Sequence, residues 1–345
     1  MSGTAMQAPG ALGQMRPLGS TGIQVSAVGI GTWAMGAQWG PQEDQESLRT
    51  LHHALDLGCQ FLDTAQEYGN GRSEQLIGRV FQERGARVPV GTKVPPIDMN
   101  WDTIPGVTKI QDKFPAQYIV DCCEGSLRNL RIDCLDVYYL HTWSPSWNEE
   151  TEWYEAMLKL RDQGKIKGIG ISVSDARPGE ANGSMQAGRV DVVQVIYNIL
   201  DQRAATELFP VARQRQVGVV ARVPLASGAL VGNWTPQTTF PSDDWRHDVF
   251  VGETLQRTLG YVDQLRFLAA GPARSLPEAA IRFCISDPTV SSVIPGGRSP
   301  QEAEENMRAW RQGPLPKEQL ERIQALWLTT FSHFIRTSFY PVNGA

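Results

Sequence analysis

The feature that most limits the folds open to this chain is a regular alternation of short apolar runs with longer amphipathic segments. Runs of four to seven apolar residues bounded by turn signals read as buried strands, and segments with apolar positions three and four apart read as helices. Strands are predicted at 27–30, 59–62, 88–92, 135–140, 166–171, 192–195, 217–221 and 290–294. Helices are predicted between and after them at 44–57, 73–81, 115–130, 149–162, 178–187, 203–215, 276–286 and 301–309. A strand followed each time by a helix calls for a parallel sheet covered by helices, and eight such pairs call for a closed (β/α)8 barrel. Ahead of them, the turn signals Gly19-Ser20 and Thr21-Gly22 predict a β-hairpin within 14–25.

Two connections break the rhythm. Residues 94–114 and 225–248 are rich in Pro, Gly, Asp and Trp, and both follow strands. Loops of that length on the carboxyl face of a barrel usually shape a pocket. A last helix is predicted at 316–329, and the segment beyond it is expected to drape over the same face. Residues 1–14 read as a loose tail and 15–345 as one barrel domain, since the tail is small, polar and lacks the charged start and apolar core of a signal peptide. The formal charge of −5 provides no basic surface for nucleic acid, and no apolar run is long enough to span a membrane. Five isolated or merely adjacent Cys, with no Cys-x-x-Cys and no clustered His, give no metal signature and fit a reducing cytoplasm. Oligomerisation is compatible with the sequence but not indicated by it.

The stretch from Gly58 to Gly78 carries the chemistry. It places Asp63 and Tyr68 in the connection between the strand at 59–62 and the helix at 73–81, the latter capped by Ser73. Its core, Asp63-Thr-Ala-Gln-Glu-Tyr68-Gly-Asn-Gly-Arg-Ser73-Glu, resembles the signature of the aldo-keto reductases. The resemblance continues through Arg16-Pro-Leu-Gly-Ser-Thr-Gly, Gly29-Ile-Gly-Thr-Trp33, Gly91-Thr-Lys93-Val, Leu135-Asp-Val-Tyr-Tyr-Leu-His141 and Ile294-Pro-Gly-Gly-Arg298 to Glu305-Asn306. It covers nearly the whole chain in the family's order, and points to the branch that includes the potassium-channel β subunits. Gly29-Ile-Gly31-Thr-Trp-Ala34 also matches a dinucleotide turn formally, but no helix opens after it, so that reading is rejected.

Asp63, Tyr68, Lys93 and His141 match the family's catalytic tetrad. Taken singly, each has an ordinary reading as a cap, a solvated cation or a structural imidazole. Together they can do carbonyl chemistry. An ammonium at Lys93 is expected to lower the pKa of the Tyr68 phenol, Asp63 to hold Lys93 charged, and neutral His141 to orient the substrate oxygen. Tyr68 then gives its proton as hydride reaches carbon, or takes it back in reverse.

The resemblance further implies a nicotinamide cofactor, NADPH, lying along Gly31, Thr32, Trp33 and Asp63. Ser172 and Gln194 match the residues that hold the carboxamide, with Val173 where Asn is usual. Ile294, Gly296, Arg298, Glu302, Glu305 and Asn306 correspond to the adenine end, with Arg298 at the 2′-phosphate position and Glu302 where Gln is common. Gly296 and Gly297 permit close backbone approach before a helix start. Pro224 and Leu225 keep the end of the family's Ala-Tyr-Ser-Pro-Leu, but Arg222 stands where its Tyr stacks on the nicotinamide. A guanidinium can also lie flat on a ring, and its charge would then favour the neutral reduced form; alternatively it reaches a pyrophosphate oxygen or a loop carboxylate.

Seven Trp, among them Trp33, Trp39, Trp101 and Trp143, fall in predicted loops after strands. Trp33, Tyr68, Trp101, His141 and Trp143 are expected to line an apolar pocket for a carbonyl or sugar-like small molecule. The readings open at this point are an NADPH-dependent aldehyde or ketone reductase, a sugar or alcohol dehydrogenase run in the oxidative direction, and a non-catalytic nicotinamide-binding regulatory subunit.

Overall fold

The computed structural model describes residues 13–37, 40–242, 244–270, 273 and 275–332. Ten strands run in the order β1 (Met15–Pro17), β2 (Gln24–Ser26), β3 (Ile30–Gly31), β4 (Leu62–Asp63), β5 (Val90–Val94), β6 (Leu135–Leu140), β7 (Ile166–Ser172), β8 (Val192–Ile196), β9 (Gly218–Arg222) and β10 (Val290–Val293). The last eight form one parallel sheet in sequential order from β3 to β10. It closes through the parallel bridges Val28 to Val293 and Gly31 to Gly296, so the chain forms a (β/α)8 barrel. The first strands are shorter than expected: only Ile30 and Gly31 of β3 are in ladder pairing with Leu62 and Asp63 of β4, and the closing contacts are the isolated bridges.

The strands are buried on both faces, as near-continuous apolar runs require: every residue of β6 is buried. Outside them, helices turn one apolar face inward. In Asp44–Asp56 this is Leu48, Leu51, Ala54 and Leu55, with Asp44 and Glu46 in the first turn beside the helix's positive end. Pro300–Gln312 begins at Ser299, whose hydroxyl accepts from the Glu302 amide at 3.2 Å.

The hairpin β1–β2 packs against the barrel interior. Leu18 and Val25 join Phe61, Val137, Tyr139, Val192, Val220 and Ile294 in one buried cluster. Arg16 sews the hairpin down by donating to the carbonyls of Ile285 and Val290, each at 2.6 Å. Tyr139 is the largest side chain of this interior cluster, and the neighbouring strands make room for it with Gly91 and Gly170. A Cβ at Gly170 would overlap the Tyr139 ring. Gly170→Ala is therefore expected to destabilise the fold by about 1–3 kcal/mol, the usual range for overpacking, read as a lowered Tm. An unchanged Tm would mean that this interior is looser than its packing implies.

The helical layer departs from expectation in three places. The segment expected as one helix over 203–215 is two, Arg203–Glu207 and Phe209–Arg215, because Pro210 has no amide to continue the first. Helix 178–187 shrinks to Asn182–Gln186. After the second long loop lies a helix not expected from sequence, Gly252–Gln264, whose buried positions are only Leu255 and Thr258. Residues 1–12 of the tail expected over 1–14, Trp39, and the segment from 333 onward lie outside the described residues. Among the described residues, no helix is long and apolar enough to cross a membrane.

Candidate active site

Parallel pairing places the polar residues at the carboxyl ends of successive strands. Asp63 ends β4, Lys93 lies one residue from the end of β5, and His141 follows β6, its amide bonded to the Val94 carbonyl at 3.1 Å. Tyr68 lies in the loop leaving β4. The structure therefore brings together all four members of the predicted tetrad.

Lys93 is fully buried. Its ammonium donates to Asp63 Oδ1 at 2.6 Å, to the Thr64 carbonyl at 2.6 Å and to the Tyr68 hydroxyl oxygen at 3.2 Å. An ammonium has three donors, and these three acceptors use all of them. Because Tyr68 accepts from Lys93, its own hydroxyl proton is left to point elsewhere. The second Asp63 oxygen accepts from Gln194 Nε2 at 2.7 Å, so the carboxylate too is held on both sides. Burial pulls the Lys93 ammonium down, but Asp63 and Tyr68 together outweigh it and hold the lysine charged.

The phenol corrects an expectation. Lys93 does pull its pKa down, but burial dominates, the negative charges of Asp63 and Glu67 add to it, and Tyr68 is pushed up to about 12. It is a fully protonated acid at neutral pH. His141 is held well below its ordinary value by burial and by the charges of Lys93 and Arg222, and is neutral. Its Nδ1 is buried without a hydrogen-bond partner. The ring is met edge-on by Trp101 and Tyr68, each at 5.9 Å between centroids.

Glu67, which the sequence reading passed over, stands against this ring. Its Oε1 lies 3.7 Å from His141 Nδ1, and burial pushes its carboxyl up to about 7 against the opposing charge of Lys93. Its position beside Tyr68 in Asp-Thr-Ala-Gln-Glu-Tyr was the only available signal.

Of the residues expected along the cofactor, Ser172 and Gln194 are register partners on β7 and β8. The Gln194 amide is engaged by Asp63, which ties that position to the tetrad. Thr32 donates its hydroxyl to the Asp63 carbonyl at 2.9 Å, and Gly31 pairs with Gly296 where the barrel closes. Trp33 is half-buried. Arg222, the last residue of β9, donates to Asp175 Oδ1 at 2.6 Å and to the Val173 carbonyl at 2.9 Å, so it meets a loop carboxylate. Beyond it, Val223 has a φ of 56°, a position costly for a β-branched residue, and leads through Pro224 and Leu225 into further left-handed residues.

At the barrel's closing end, Asn306 donates to the Gly296 carbonyl at 2.9 Å, beside Ile294. Arg298 is tethered to Gln42 and to the Pro41 carbonyl, at 3.2 and 3.0 Å. Glu302 accepts from the Arg298 amide at 2.8 Å, and Glu305 from Gln301 at 3.4 Å. A Cβ at Gly296 would meet nothing within 4 Å, so its backbone faces open space. That open backbone, with donors at Ser172, Arg298 and Asn306 and the start of a long helix, suits an anionic dinucleotide. The expected pocket wall needs one correction: Trp143 is completely inaccessible and packs against Trp147 and Trp153, at 5.6 and 5.1 Å. A ring that no solvent reaches cannot touch a ligand in this arrangement; it packs among residues that follow β6.

Barrel architecture with this proton-handling group at the strand ends defines an oxidoreductase of the barrel type. The family model for the Aldo/keto reductase family matches residues 27–328, and the chain belongs to that family. It is 30% identical to the aldo-keto reductase YhdN of Bacillus subtilis (strain 168) over 293 residues, covering 83% of this chain and 86% of that protein. It is 28% identical to the NADH-specific methylglyoxal reductase of Escherichia coli (strain K12) over 309 residues, covering 85% and 92% of the two chains. In fold it is similar to the glycerol dehydrogenase AKR11B4 from Gluconobacter oxydans, with a TM-score of 0.76 at 24% identity over 96% of this chain and 98% of that one. The protein is thus an enzyme of a family that uses nicotinamide cofactors.

Proposed function

We propose that this protein reduces an aldehyde or ketone to the alcohol with NADPH, with Tyr68 as the proton donor. The observation that carries this reading is the saturated Lys93 ammonium, which holds the phenol oxygen at 3.2 Å and leaves the phenol proton for a substrate. When bound, the reduced nicotinamide supplies the hydride to the carbonyl carbon. The carbonyl oxygen takes the Tyr68 proton, and the phenolate left behind faces the Lys93 charge, which is stronger in this dry site than in water. Asp63, Gln194 and the Thr64 carbonyl keep the ammonium aimed. Neutral His141 orients the substrate oxygen. Trp101 and Trp33 form the half-buried part of the pocket wall, which fits an apolar carbonyl or a sugar-like ring.

The preference for NADPH rests on Arg298 beside the open Gly296 backbone. Its guanidinium is held by neutral acceptors, Gln42 and the Pro41 carbonyl, which a 2′-phosphate would outcompete. Such a contact contributes about 1.5–3 kcal/mol, roughly ten- to a hundredfold in affinity. Titration of NADPH and NADH into wild type and Arg298→Ala, with turnover across aromatic aldehydes, aliphatic ketones and keto-sugars, tests the whole reading. The expected result is carbonyl turnover with tighter NADPH binding, the preference collapsing in Arg298→Ala. Equal affinities for the two cofactors, unchanged in Arg298→Ala, would overturn the preference for NADPH, and tighter NADH binding would assign the enzyme to NADH. Cofactor binding without turnover of any carbonyl would favour a regulatory subunit, and turnover confined to alcohols would favour a dehydrogenase.

A further inference from the structure

We propose that Glu67 is a positioning residue for His141: its carboxyl group decides which ring nitrogen carries the imidazole proton, and hence whether the ring donates to or accepts from the substrate oxygen. The proposal rests on the carbonyl-reductase reading above.

The geometry is specific. Glu67 Oε1 and His141 Nδ1 stand 3.7 Å apart, with the side chains only 11% and 13% exposed. Nδ1 has no hydrogen-bond partner, and an unpaired nitrogen in a dry site is costly. Trp101 and Tyr68 hold the ring plane from two sides. The separation is longer than a hydrogen bond, and contacts of this kind commonly tighten only when substrate closes the site.

A neutral imidazole has one N–H and one lone pair. An ionised Glu67 can only accept, so the ring proton is drawn to Nδ1, and Nε2 presents a lone pair suited to an alcohol hydroxyl. A protonated Glu67 donates to Nδ1, the ring proton sits on Nε2, and Nε2 donates to a carbonyl oxygen. Passing from the first state to the second takes up one proton at Glu67 while the ring proton moves from Nδ1 to Nε2. The ring's charge stays at zero throughout.

The surrounding charges place that proton on the carboxyl group. His141 faces Lys93 from β5 and Arg222 from β9, which with burial keep the ring from charging. Glu67 faces Lys93 and His141, with the Tyr68 phenol beside it, and burial pushes it up to about 7. Reduction is therefore supported below neutrality and loses this support as the pH rises through the Glu67 titration.

The test uses the full-length protein labelled with 15N-histidine, His141 being assigned by the signals lost in His141→Asn. Spectra are recorded from about pH 5.5 to about 8.5, a window that spans the Glu67 titration, and the signals of the other histidines are set aside by the His141→Asn comparison. In the wild type, the protonated and lone-pair nitrogen shifts are expected to exchange between Nδ1 and Nε2 with a midpoint near 7. In Glu67→Gln the pattern should not change with pH, and in Glu67→Asp, whose carboxyl is withdrawn, the midpoint should move. In parallel, wild-type kcat/KM for carbonyl reduction should fall about tenfold per pH unit above that midpoint, a break absent from Glu67→Gln. A single tautomer at every pH in the wild type, or the same exchange in Glu67→Gln, overturns the proposal. If no carbonyl is turned over, the functional reading fails alone, because the spectra still decide the role of Glu67.

Discussion

Tyr68→Phe is expected to lower kcat for carbonyl reduction by about 10²- to 10⁴-fold, the usual cost of a positioned general acid, and by more because the group belongs to a coupled unit. The affinity for NADPH should stay nearly unchanged, since the lost hydroxyl acts on the substrate oxygen. The phenol is pushed up to about 12 by burial, so turnover should show no loss from its ionisation below pH 9 or so. Stability should change little, because Lys93 keeps two of its three acceptors, Asp63 and the Thr64 carbonyl. A variant retaining half of wild-type turnover would remove Tyr68 from the mechanism. Stopped-flow measurement of a single turnover with bound cofactor separates this chemical loss from any change in release.

Lys93→Met is expected to lose nearly as much activity, and stability as well. Removal of the ammonium leaves Asp63, only 2% exposed, as a buried carboxylate whose remaining side-chain hydrogen bond among the described residues comes from Gln194. Breaking a buried pair in this way costs about 3–5 kcal/mol. The loss should depend on pH with a definite sign. Burial already pushes Asp63 above the ordinary carboxylate range, with Lys93 opposing it, so removing Lys93 raises it further. A carboxyl group whose folded-state pKa exceeds its unfolded value gives the folded form the greater proton affinity. The variant should thus be relatively stable at acidic pH and lose stability as pH rises through the folded value. Denaturant unfolding of the variant and wild type across that range checks this. A difference that does not grow with pH would show that Asp63 is not the group left uncompensated.

Arg222 shows where local reading stops short. The sequence identifies an Arg where relatives carry an aromatic residue, and leaves open a ring, a phosphate or a loop carboxylate as its partner. The structure pairs it with Asp175, three residues beyond the end of β7, and with the Val173 carbonyl. That pairing depends on β7 and β9 lying on either side of β8, a relation no window of sequence contains. It also offsets part of the positive charge on which a bias toward reduced cofactor was expected to rest. The helix Gly252–Gln264 was missed for a local reason: its buried face holds only Leu255 and Thr258, too sparse a stripe for the 3.6-residue period to stand out.

The sequence by itself determined the class of fold, and its motifs singled out the four residues proposed as the tetrad. Short apolar runs alternating with segments of 3.6-residue period dictate strands and helices in turn, and parallel strands joined by helices close only in a few ways. The motifs then supply an acid, a phenol, an ammonium and an imidazole at strand ends. Only the tertiary structure decided how those groups share charge. The Tyr68 phenol is raised rather than lowered because burial exceeds the pull of one lysine, and burial is a sum over neighbours distant in sequence. Gln194 reaches Asp63 across the barrel from 131 residues away, Trp143 is covered by Trp147 and Trp153, and Glu67 comes to face His141 because the loops after β4 and β6 converge over β5. Desolvation and pairing are properties of a packed site, and they act only after the strands that carry the residues have been brought side by side.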